Sequence, residues 1–113
     1  MCNKSTLDVL LKEASIELKN IFGEKLNSVI LYGSYARGDY DSESDIDVMA
    51  LVDLEKGALS KYRRTVSDFA NDIDLKYDVL LSVKLQDKFT FEKYGNDLPY
   101  YMNVLREGVS VSV

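Results

Sequence analysis

Five carboxylates crowd one short segment, VILYGSYARGDYDSESDIDVMALV, which begins at Val29: Asp39, Asp41, Glu43, Asp45 and Asp47. The last two flank Ile46 at the mouth of an apolar run. Residues two apart on a strand share a face, so Asp45 and Asp47 point the same way, about 7 Å apart. Ile46 and Val48 then face the core. Two ionised carboxylates side by side repel each other, and a hard divalent cation such as magnesium removes the repulsion. Upstream, Gly33 lacks a Cβ and lets backbone approach a phosphate closely, while Ser34 adds a hydroxyl donor. If SYAR is a helical turn, its free N–H groups face the same place, and Arg37 can fork onto a phosphate oxygen. An anion cradle facing a metal cradle suits a nucleoside triphosphate with magnesium.

Rival readings of the same residues are weaker. An acidic loop is usually a solvated loop, yet that does not account for a pair at a strand mouth. A calcium loop counted from Asp39 would need glycine sixth and glutamate twelfth, where Ser44 and Ala50 stand. A P-loop fails because Asp39 occupies the lysine position after Gly33 and Gly38. A further acid, Asp78, lies in YDVLLSV, which reads as a strand over 77–83. A lone Asp there is costly without a partner. It either caps a neighbouring N–H or completes a two-metal site for in-line phosphoryl displacement. Asp72 and Asp74 are expected at a helix end, in solvent.

These residues must be positioned by few elements. The chain has 113 residues, enough for one domain, 1–113, with a modest core. Leu7, Leu10, Leu11, Ala14, Leu18, Ile21 and Phe22 recur at helical spacing, predicting a helix from Thr6 to Phe22 with a Ser5/Asp8 capping box and Gly23 at its end. Strands are expected at 28–32 and 46–52. Leu59, Tyr62, Val66, Phe69, Ala70 and Ile73 mark a second helix, with Arg63, Arg64 and Asp68 on its wet side. The stretch 85–94 reads as a helix, Pro99 opens another that Gly108 closes, and VSVSV alternates as a half-buried strand. The fold class is α/β, with helices packed on a small mixed sheet.

Composition narrows the chemistry further. The chain has no histidine, which removes Ser-His-Asp and Cys-His mechanisms and imidazole acid–base work. Cys2 is the sole cysteine, so no intrachain disulfide forms, in keeping with a reducing cytoplasm. No apolar run spans a bilayer, and no signal peptide is expected. A net charge of -5 argues against direct nucleic-acid binding, although a metal can bridge a polyanion.

GSYARGDYDSESDIDVMALV resembles the signature of the nucleotidyltransferase superfamily that includes DNA polymerase β: Gly-Ser, a spacer, Asp-x-Asp, then a later strand Asp. The small size, the GSxARG form and the ending PYYMNVLREGVSV are most similar to its minimal nucleotidyltransferase branch. The resemblance implies that Gly33 and Ser34 hold the triphosphate, that Asp45 and Asp47 bind magnesium, and that Asp78 completes the site and helps activate the attacking hydroxyl. Many members of the branch resemble antitoxins that transfer AMP from ATP to a tyrosine of a HEPN-domain ribonuclease toxin. Two alternatives stay open. One is a small-molecule, aminoglycoside-type enzyme completed by a second subunit, since 113 residues leave no room for a helical acceptor domain. The other is an antitoxin that neutralises by contact alone. Eight tyrosines, Tyr100 and Tyr101 among them, suit either an interface or a partly buried core.

Overall fold

The computed structural model describes residues 3–41 and 43–111. Helix α1 spans Lys4–Phe22, and Asn3 caps it by accepting the Thr6 N–H at 2.8 Å. Asparagine is among the best N-caps, so the helix starts earlier than a Ser5/Asp8 box would have it. Gly23, at φ 57°, ends it and donates its N–H to the Lys19 carbonyl.

Strand β1 (Leu26–Tyr32) leads through Gly33 into one helical turn, α2 (Ser34–Arg37), and the acidic loop returns the chain as β2 (Ile46–Val52). A 3₁₀ stretch, Lys56–Tyr62, then runs into α3 (Arg63–Tyr77). The chain continues as β3 (Leu81–Asp87), α4 (Lys88–Tyr94), α5 (Pro99–Glu107) and β4 (Val109–Ser110). The end of the VSVSV alternation, Ser112 and Val113, lies outside the described residues, as does Cys2. The sheet order is β3-β2-β1-β4. β1 pairs antiparallel with β2 and β4, and β2 pairs parallel with β3. The mixed sheet anticipated from the sequence is therefore present.

The third strand lies four residues later than expected. Tyr77 is still helical: its hydroxyl donates to Glu13 at 2.8 Å, and Lys76 pairs with Glu13 at 3.0 Å. These bonds pin the last turn of α3 to α1. The helix ends only at Asp78, left-handed at φ 55°, whose N–H reaches the Asp74 carbonyl. The Asp74 carboxylate then accepts the Leu81 N–H at 2.7 Å. Asp74 thus starts β3 and is not simply solvated. For the same reason residues 85–87 belong to β3, and α4 begins after Asp87, whose carboxylate caps it through the Thr90 N–H.

Helices cover both faces of the sheet. On one face α1 and α3 bury Leu10, Leu18, Val66 and Ile73 against Val29, Leu31, Ile46, Val48 and Ala50. On the other, α4 and α5 place Phe91 and Val104 against Met49 and Leu51. Each fully buried aliphatic side chain contributes about 1.5–3 kcal/mol, and α1 alone supplies Leu10 and Leu18 with no exposure. The second core fixes α5 across the end of the sheet where the acidic loop joins β2.

Candidate active site

The pleat decides which side chains share a face. Asp47 stands opposite Tyr32 of β1 and beside Ser82 of β3. Tyr32, Asp47 and Ser82 therefore form a row across three strands, on the face that α4 and α5 cover. Ile46 and Val48 point into the larger core, as the alternation required.

The carboxylate of Asp47 lies against the backbone of Gly33. A Cβ built on Gly33 would fall 2.5 Å from Asp47 Oδ2, and the glycine has φ 76°. Two separate reasons, close approach and a positive φ, thus exclude a side chain there. Gly33 caps α2, and its carbonyl accepts the N–H groups of both Ala36 and Arg37 at 3.1 Å. Those two N–H groups are committed, so the turn has fewer free donors than its sequence implied. Tyr35 holds the turn down: it is buried in the core and stacks on Tyr40 with centroids 4.1 Å apart.

Five neighbouring acids turn out to have different duties. Asp39 pairs with Arg37 Nε at 3.0 Å. Asp41 folds the loop by accepting the Glu43 N–H and the Ser44 hydroxyl, while the Ser44 hydroxyl oxygen accepts the Asp41 N–H. Glu43 is exposed. Asp45, exposed, immediately precedes β2, and Asp47 is half-buried within it. Burial raises the Asp47 pKa above its ordinary value; the Asp45 charge raises it further, and Arg37 opposes both. The Asp45 charge thus acts directly on Asp47.

A cleft of about 380 Å³ opens over this row, lined by Gly33, Ser34 and Arg37 on one wall, Asp47 on its floor, and Tyr100, Asn103 and Glu107 on the other. The opposing wall is α5, which presents one stripe at positions i, i+3 and i+7. It is tied at both ends. Tyr100 and Tyr32 share a hydroxyl–hydroxyl bond of 2.9 Å, and Glu107 accepts from Arg37 at 3.0 Å. Burial, followed by the bond to Tyr100, pushes the Tyr32 pKa upward, so its hydroxyl keeps its proton. Arg37, expected to be free for phosphate, is held by Asp39 and Glu107, and both bonds raise its pKa.

Asp78 does not join this group. It is an exposed cap on α3, three residues before β3 begins, and the charges acting on Asp47 are those of Asp45 and Arg37. Among the described residues no three acidic, cysteine or histidine side chains are grouped to hold one metal. The expected third ligand is therefore corrected: the residue beside Asp47 on the third strand is Ser82. Sequence reasoning also missed Tyr100, Asn103 and Glu107 as wall residues. The only signal for them was the stripe on α5, which does not say what the helix faces.

Residues 11–107 match a family model described as nucleotidyltransferase domain. Two chains of Methanocaldococcus jannaschii, each named "Putative protein adenylyltransferase", are similar to this one. The first is 44% identical over 81% of this chain and 91% of its own length; the second is 35% identical over 87% and 90%. A crystal structure of a toxin-antitoxin with AMP-PNP covers 89% of this chain and 72% of its own at 20% identity and TM-score 0.53, a likeness of fold.

Proposed function

The chain belongs to the nucleotidyltransferase domain family, and from that premise we propose that it moves AMP from ATP, with magnesium, to a tyrosine hydroxyl of a HEPN-domain toxin and so acts as its antitoxin. The relatives named as protein adenylyltransferases support a protein acceptor. The toxin-antitoxin likeness is a likeness of fold, so the toxin rests on the sequence resemblance.

One observation carries the reading: the Gly33 backbone and the Asp47 carboxylate meet in one cleft with no room for a Cβ between them. The donor set fits magnesium, a cation that binds through one or two carboxylates plus substrate phosphates. Asp45 and Asp47 would hold it. When bound, the ion supplies positive charge against the triphosphate and the oxygens of the displacement. Ser34 offers its hydroxyl to a phosphate oxygen. Arg37, already at the cleft, offers N–H groups to the same polyanion in competition with Asp39 and Glu107. In the reaction, phosphorus exchanges its bond to pyrophosphate for one to the acceptor oxygen, and the acceptor's proton passes to solvent as pyrophosphate departs.

Calorimetry of ATP binding with and without magnesium tests the site. Binding is expected to strengthen with the ion, because Asp47 in the cleft, with the Asp45 charge acting on it, otherwise repels the triphosphate. Equal affinity in both conditions would count against a metal site.

A further inference from the structure

We propose that the protein holds one divalent cation per bound nucleotide, on Asp45 and Asp47 alone, with Ser82 standing where a third acidic ligand would have to be. This deepens the magnesium reading above and rests on it. In a two-metal site the ions lie about 3.5–4 Å apart, so the second needs anionic donors on a further side of the first. The row that contains Asp47 has Tyr32 on one side and Ser82 on the other. The Tyr32 hydroxyl is bonded to Tyr100, and Ser82 offers only a neutral hydroxyl. Two residues along the same face of β3 comes Lys84, a cation whose Nζ sits 5.4 Å from the Tyr100 ring centroid. A positive charge beside the cleft repels a second metal ion.

No other carboxylate stands beside Asp47 on the third strand: Asp39 and Glu107 pair with Arg37, Asp41 folds the loop, and Asp78 is exposed at the end of α3, three residues before β3. Two carboxylates also match what magnesium requires when phosphates and waters complete its shell.

Manganese is the probe, counted by electron paramagnetic resonance on the full chain with a non-hydrolysable ATP analogue. The wild type is expected to hold one ion per nucleotide, and Asp78→Asn and Ser82→Ala the same. Ser82→Asp is expected to hold two. Two ions on the wild type, or an ion lost from Asp78→Asn, would overturn the inference while leaving the nucleotide site intact. An analogue that binds equally well without manganese would instead sink the magnesium reading, and this inference with it.

Discussion

Gly33→Ala is expected to separate nucleotide binding from folding. Two costs follow from the geometry. First, the residue sits at φ 76° and ψ −156°, a region populated almost only by glycine, where a side chain costs about 1–3 kcal/mol. Second, the new methyl would lie 2.5 Å from Asp47 Oδ2, so the carboxylate must swing away. It can do so because Asp47 is only half-buried, and the swing spares the core. The loss therefore stays near the backbone cost, a fraction of the 5–15 kcal/mol typical of a domain. Binding suffers more. Misorienting groups around a metal lowers affinity by about 10–100-fold, and here the displaced group is a ligand itself. Denaturant melts paired with ATP–magnesium calorimetry measure both. A variant that folds and binds ATP–magnesium like the wild type would refute the argument that Gly33 is there to let Asp47 and a phosphate meet.

Asp47→Asn should act in opposite directions on stability and binding. The folded Asp47 has a pKa above its ordinary 3.8, chiefly through burial, so ionising it costs folding free energy. That cost is absent at pH 3, grows as pH rises from the ordinary 3.8 towards the raised value, and is complete above it. Without metal the variant is expected to melt higher than wild type at pH 7 and at the same temperature at pH 3, with ATP–magnesium binding lost; unchanged melting at pH 7 would contradict this. Asp74→Ala leaves the Leu81 N–H without its carboxylate, a loss of about 1–3 kcal/mol, whereas Asp74→Asn keeps an acceptor and most of the stability. Urea melts of the pair check this, and equal losses would place the effect in the charge and not in the bond.

The parts legible in the sequence were those governed by local periodicity. The stripe of α1, the exact run of β2, the turn at Ser34–Arg37 and the Pro99–Gly108 helix all follow from spacing and capping chemistry. That Asp47 lies on the face opposite Ile46 and Val48 followed from the two-residue period of a strand. What failed depended on contacts distant in sequence. YDVLLSV has the composition of a strand, yet Tyr77 and Lys76 are held helical by Glu13 on α1. That tertiary bond moved β3 and removed Asp78 from the site. Likewise, nothing local in Glu107 reveals that it meets Arg37, seventy positions away. The acidic loop was misleading in a different way, since identical residue types there serve an ion pair, a turn and the cleft.

The most direct test of the account is transfer itself. The full chain is incubated with a HEPN-domain partner, magnesium and ATP labelled on the α-phosphate, and label is followed onto the partner by electrophoresis and mapped by mass spectrometry. The account predicts label on a partner tyrosine, dependent on magnesium and abolished by Asp47→Asn. An unlabelled partner, in the presence of wild-type protein that binds ATP–magnesium, would contradict it.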